Sequence, residues 1–136
     1  MAQHSNRAVL RGGAGTIPEL PPFEVYEEDL GAMCWEDAVT ACHALTVDGG
    51  GWRLPTILEL RFMYRVCELC RKEYSLSFTA HESYWAQDQD SHNPREDGAA
   101  ALYFATYEPD SMAGYYTNFP KDRDFRVRCV RTVAQS

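Results

Sequence analysis

A chain of 136 residues buries one hydrophobic core but not two, and 45% apolar side chains with eight Tyr, six Phe and three Trp mark a folded globule. A formal net charge of -7 argues against nucleic acid or an anionic membrane as the main partner, since both call for a basic surface that releases counterions. No stretch approaches the ~20 apolar residues that span a bilayer, so no membrane insertion is expected.

Residues 1–22 read as a flexible leader or linker, with the folded domain over 23–136. Arg7 to Arg11 has the pattern of a short strand, but Gly12, Gly13, Gly15, Pro18, Pro21 and Pro22 form a flexible and then stiff connection. Met1 to Gly15 lacks the apolar centre of a signal peptide, which leaves a cytoplasmic protein or a mature piece of an exported one.

From Phe23 to Tyr26 the sequence alternates like a strand. A first helix is predicted over Met33 to Val47, with Trp35, Ala38, Cys42 and Leu45 on one stripe, ended by Gly49, Gly50 and Gly51. A second is predicted over Thr56 to Lys72, opened by a Thr56/Glu59 capping box in which each side chain satisfies an orphan backbone N–H. Ile57, Leu60, Tyr64 and Cys67 share one face of it. Short strands then follow at 84–86, 102–107, 114–118 and 125–133, with a polar loop from Gln87 to Gly98. In the last strand Phe125, Val127 and Cys129 point one way and Arg126 and Arg128 the other. Those arginines, with Arg123 and Arg131, read as a solvated edge. One strand, two helices and a run of antiparallel strands make an α+β pattern.

Five cysteines (Cys34, Cys42, Cys67, Cys70, Cys129) leave at least one thiol free or paired between chains. Cys67-Glu68-Leu69-Cys70 falls near a helix end, whereas a redox pair usually starts a helix, and the remaining ligands lack zinc spacing. Core packing or a bridge to Cys34 is the better reading, and no metal or other cofactor is expected.

Trp35-x-x-Ala38-x-x-x-Cys42-x-x-Leu45 precedes Gly51-Trp52-Arg53-Leu54-Pro55-Thr56-x-x-Glu59-Leu60. Tyr84-Trp85 and Val127-Arg128-Cys129-Val130-Arg131 come later. In this order they resemble the bacterial domain family named after the C-terminal region of the Legionella collagen-like adhesin, which is grouped with the formylglycine-generating-enzyme and C-type-lectin-like folds. The resemblance covers about Phe23 to Val133. It implies a C-type-lectin-like fold: two helices packed on a twisted antiparallel sheet whose first and last strands pair. It also implies an extracellular or cell-surface location and a role in adhesion or ligand display. The chain departs from the family in lacking a collagen-like Gly repeat, and its acidity makes polyanionic glycans doubtful ligands. Trp35, Trp52, Arg53, Thr56, Glu59 and Trp85 then stand as structural residues, with Trp52 and Arg53 under the start of the second helix. Cys42 and Cys129 both face the core and both match cysteines of the family pattern. A disulfide between them is the expectation, and two reduced core thiols the alternative.

On such a scaffold the later loops carry function. The first candidate stretch holds Asp88, Asp90, His92 and Asn93, and the second Tyr107, Glu108, Asp110, Tyr115, Tyr116 and Asn118. Glu108-Pro109-Asp110 is similar to the triplet with which C-type lectins hold calcium and a sugar, although the companion Trp-Asn-Asp is missing and a plain turn at Pro109 gives the same residues. The tyrosines either offer stacking faces to a ligand or fill the core between loops. No histidine has a partner that would make a Ser-His-Asp site. The expected function is non-catalytic recognition, with a glycan as first-choice ligand and a surface protein as second. The rival is a structural or tip subunit of a surface appendage, and a thiol enzyme built on Cys34 or Cys67 is the enzymatic alternative.

Overall fold

The computed structural model describes residues 8–10, 20–74, 79, 82–92, 94–104 and 114–133. The fold is α+β, as the element pattern predicts, with two helices and mostly antiparallel sheet. Among the described residues no helix is long and apolar enough to cross a membrane.

Two sheets form where the sequence suggested one. The smaller is antiparallel and places β2 (Phe23–Val25) between β1 (Ala8–Leu10) and β8 (Val130–Thr132). Phe23 lies opposite Thr132 and Val25 opposite Val130, so the strand predicted at the domain start does pair with the strand at its end. Ala8–Leu10, inside the segment read as a leader, pairs along the outer edge of β2. The larger sheet has the order β3 (Ala32–Met33), β7 (Phe125–Arg126), β4 (Glu82–Trp85), β5 (Gly98–Phe104), β6 (Tyr116–Pro120). It is antiparallel except for β4 and β7, which run parallel and meet at the single pair Tyr84–Arg126.

The sequence read 125–133 as one strand, but the chain changes sheets at Val127–Cys129. There Tyr26 donates its N–H to the Cys129 carbonyl (2.9 Å), and Leu30 and Val127 pair with the carbonyls of Val127 and Gly31. A second correction concerns Arg128. It is no solvated edge residue: it is 2% exposed, with Arg126 beside it, because both guanidinium groups bind Asp29.

The larger sheet is covered on both faces. Along β4 and β5, Tyr84, Ala100, Leu102 and Phe104 point into one core cluster, and Trp85, Ala99 and Ala101 into the other. The first cluster lies under α2 (Ile57–Tyr74), with Leu60, Met63 and Cys67 fully or nearly buried; the second lies against Ala38 and Cys42 of α1 (Trp35–Ala44). Burial on two faces explains why β5 begins Gly-Ala-Ala-Ala, a run that lies ahead of the strand predicted over 102–107.

α1 is shorter at both ends than predicted. It closes at Ala44, and a 3-10 turn at Val47–Gly49 with Asp48 left-handed (φ 52°) leads into Gly49, Gly50 and Gly51, all at positive φ. α2 opens as predicted: the Glu59 N–H donates to Thr56 Oγ1 (3.1 Å) and the Thr56 N–H to Glu59 Oε1 (2.9 Å). Arg53 grips the same carboxylate through two nitrogens (2.8 and 2.9 Å) and donates to Thr132 Oγ1, which ties the helix start to β8. The indole N–H groups of Trp35, Trp52 and Trp85 each reach a backbone carbonyl, at Ala86, Val47 and Met33. Cys42 and Cys129 are joined by a disulfide, with 5.7 Å between their Cα atoms.

Candidate functional site

The loop joining β4 to β5 is polar in sequence but tightly held. At its start the Gln87 N–H donates to the Pro55 carbonyl (2.7 Å), and the Ile57 N–H, in the first turn of α2, donates to Asp88 Oδ1 (2.8 Å). Two side-chain amides then bridge backbone groups as a strand neighbour would. Gln89 accepts from the Arg95 N–H (2.8 Å) and donates to its carbonyl (2.7 Å). Asn118, on β6, accepts from the Asp90 N–H (2.7 Å) and donates to its carbonyl (2.9 Å). The loop returns at Gly98, where a Cβ would stand 2.8 Å from that of Arg95.

Of the residues proposed from sequence, Asp88, Asp90, His92 and Asn118 are thus brought together. Asn118 is 7% exposed and holds the loop, so its amide is turned to Asp90 and not outward. His92 is 90% exposed in its side chain, with Nδ1 3.1 Å from Asp90 Oδ1. Its backbone N–H also reaches that oxygen; this contact first, then the ring, holds the Asp90 carboxyl below its ordinary range. Arg61 of α2 adds to the same depression and lies 5.0 Å from the ring centre of Tyr116. Tyr116 itself is half-buried and packs against the core, while Tyr115 is 50% exposed. The two tyrosines therefore divide between the alternatives the sequence left open. Asn93, Tyr107, Glu108 and Asp110 lie outside the described residues.

Sequence reading missed Arg61, Gln89 and Arg95. Arg61 is four residues past Ile57 and so shares its side of α2, but nothing in the sequence says that Asp88 seats on Ile57.

Asp88 is exposed as a residue, yet its carboxylate is turned in against the helix start. Desolvation there, and to a smaller degree the charge of Glu59, raises its pKa against the lowering effect of the Ile57 N–H. A carboxyl whose folded pKa exceeds its unfolded one binds protons better when folded. Its contribution to stability therefore falls as pH rises from the ordinary value of 3.8 through the raised one. Asp88→Asn keeps an oxygen for the Ile57 N–H without the charge. That variant is expected to match or exceed the parent in stability at pH 7 and to lose part of the decline above pH 4, as read by thermal melts across pH. A variant less stable at pH 7 by more than about 1 kcal/mol would refute this, since that is the worth of an ordinary cap.

Two further concavities lie away from the loop's core. One, of about 510 Å3, is lined by Cys34, Glu36, Asp97, Pro120, Lys121 and Asp122. Cys34 precedes α1 and has a free thiol, while Cys67 lies in the core cluster under α2. The two cysteines considered for thiol chemistry thus stand apart, Cys34 just ahead of α1 and Cys67 in the core under α2. The other, of about 570 Å3, is bounded by Arg53 and by Arg131, which binds Glu24 and two loop carbonyls. Among the described residues no group of three or more His, Cys, Asp and Glu is placed to hold a metal ion.

The chain matches no model of a known protein family and no curated protein.

Proposed function

We propose that this chain is a non-catalytic recognition domain with a C-type-lectin-like fold, akin to the adhesin-derived bacterial family that its motifs resemble, and that it binds its ligand at the 87–97 loop and β6. The observation that carries this reading is the way the loop is built. Two amide side chains and a carboxylate are committed to holding the described residues of this irregular loop, while His92, Asp90, Arg61 and Tyr115 remain at or near its surface. A pre-ordered loop loses little entropy when a ligand binds, so its affinity is not spent on ordering. A carboxylate, a guanidinium and an aromatic ring in one patch suit a hydroxyl-rich ligand, and a glycan is the first choice. The Cys42–Cys129 disulfide fits an oxidising compartment, such as a cell surface.

The test is a broad glycan array, probed with calcium and again with chelator. Binding that survives chelation supports the loop site. Binding lost on chelation would bring in calcium, with Glu108 and Asp110 as the ligands to substitute. Absence of binding in both conditions would sink the glycan reading and favour a protein partner or an assembly subunit.

A further inference from the structure

The outer edge of β2 needs a strand against it, and the chain fills it from the segment that the sequence marked as a leader. Hydrogen bonds along β2 alternate in direction. The Tyr26 N–H donates to the Cys129 carbonyl (2.9 Å) and the Val133 N–H to the Pro22 carbonyl (3.2 Å), so the even-numbered positions bond toward β8. Phe23 and Val25 therefore turn their N–H and C=O groups the other way, to Leu10 and Ala8 of β1. Both residues are 0% exposed. Buried backbone groups left unpaired cost free energy, so this edge favours an occupant. The bonds run between backbones and ask only for an extended segment in the right register.

The connection between β1 and β2 does not dictate which copy of the chain supplies the strand. Leu20 is anchored in the core cluster under α2, and residues 11–19 separate it from Leu10. A segment of that length reaches about 30 Å when extended, whereas an antiparallel pair is closed by as few as about two residues. We propose that the outer edge of β2 is a strand-exchange site whose second occupant is the Ala8–Leu10 strand of another copy of this chain, so that two copies swap β1 reciprocally. The ladder that β1 makes is the same residue for residue in its own chain and in a partner, so concentration sets the balance. The chain's own strand competes at an effective concentration on the order of 1 mM, which makes exchange a minority in dilute solution and a rival where copies crowd. A swapped dimer carries two copies of the 87–97 loop, and the exchange stands whatever those loops bind.

Val9 and Glu24 oppose each other as a non-hydrogen-bonded pair, where Cα atoms stand about 4.5 Å apart and within disulfide reach. The experiment uses the whole chain in four forms: the double variant Val9→Cys/Glu24→Cys, each of those substitutions alone, and Leu58→Cys as an exposed collision control. Samples are equilibrated, given a short pulse of thiol oxidant, and mapped by mass spectrometry. The double variant is expected to close within one chain when dilute, at about 10 µM, which checks fold and register together. Val9→Cys mixed with Glu24→Cys at about 1 mM is expected to link position 9 of one chain to position 24 of the other. The yield should exceed that of Leu58→Cys mixed with Glu24→Cys by at least about tenfold at the same concentration. A link between chains no stronger than the collision control, while the double variant closes, would show that β1 stays with its own chain and would overturn the exchange. Failure of the double variant to close would overturn the β1–β2 register and the proposal with it. Both outcomes leave the recognition reading standing.

Discussion

Asp29→Ala is expected to destabilise the fold by about 3–5 kcal/mol, the range for removing one partner of a buried ion pair. The Asp29 carboxylate is the meeting point of four side chains. Oδ1 accepts from Arg128 Nε (2.9 Å) and lies 2.8 Å from Nη2, and Oδ2 accepts from Arg126 Nε (3.1 Å), Tyr84 Oη (2.8 Å) and Thr79 Oγ1 (3.1 Å). Arg128 and Tyr84 are buried, so the alanine variant leaves a guanidinium in the interior without this counter-charge. Burial first, and then the charge of Asp29, pushes the Tyr84 phenol up to about 12, which keeps it a neutral donor. The location matters as much as the charge. β4 and β7 meet at one residue pair, Tyr84–Arg126, and those same two side chains converge on Asp29. The carboxylate thus reinforces the weakest seam of the larger sheet, where β3 and β7 join the strands that carry the loop. Asp29→Asn should be nearly as harmful, because its NH2 would face donors. Urea unfolding measures both; a loss below about 1 kcal/mol would show that the seam is held elsewhere. Hydrogen exchange should show protection falling first in β3 and β7.

How far this architecture could be read from sequence depended on whether the signal was local. The capping box at Thr56 and Glu59 was legible because its two hydrogen bonds span three residues. The helix stripes followed from periodicity, and the pairing of the strands at 23–25 and 130–132 from the family resemblance that the motif order carries. Arg128 misled because an arginine alternating with apolar residues looks the same whether its partner is water or an aspartate nearly a hundred residues away. The change of sheets at 127–129 had no local mark either, since alternation continues through it. The strand at Gly98 was hidden because its alanines answer to two covered faces rather than to β-propensity.

The site was legible as a stretch but not as a device. Composition picked out Asp88, Asp90 and His92 as loop residues. It did not say that Asn118 would be spent on holding that loop, nor that Gln89 would do the same at Arg95, six residues on. Those roles rest on hydrogen bonds from side-chain amides to backbone groups that the folded chain brings within reach. Arg61 was missed for a related reason: its place depends on how α2 seats against the loop, which is a property of packing.

Loss of the Cys42–Cys129 bridge, by reduction or in a Cys42→Ala/Cys129→Ala variant, is expected to cost about 3–5 kcal/mol. The bridge spans a sequence separation of 87 residues, and the loop-closure estimate for a ring of that size is about 4.5 kcal/mol at 25 °C. Both cysteines are fully buried in the cluster with Trp52, Trp85 and Val127, so the alanine variant also loses packing that reduction alone would keep. Against a typical total of about 5–15 kcal/mol for a domain, that is a large share. The bridge fastens α1 to the segment where the chain changes sheets, just beside Arg128 and its hold on Asp29. Reduction should therefore loosen the same seam from its other side, and the two losses should add to less than their sum because the sites are neighbours along the chain. Urea unfolding with and without reductant gives the size of the effect. Alkylation of the unreduced native protein gives the connectivity: Cys34 should label, and Cys42 and Cys129 should not. A midpoint unmoved by reductant, with Cys42 and Cys129 both labelled, would mean that the core holds two thiols and that the fold is equally at home in a reducing compartment.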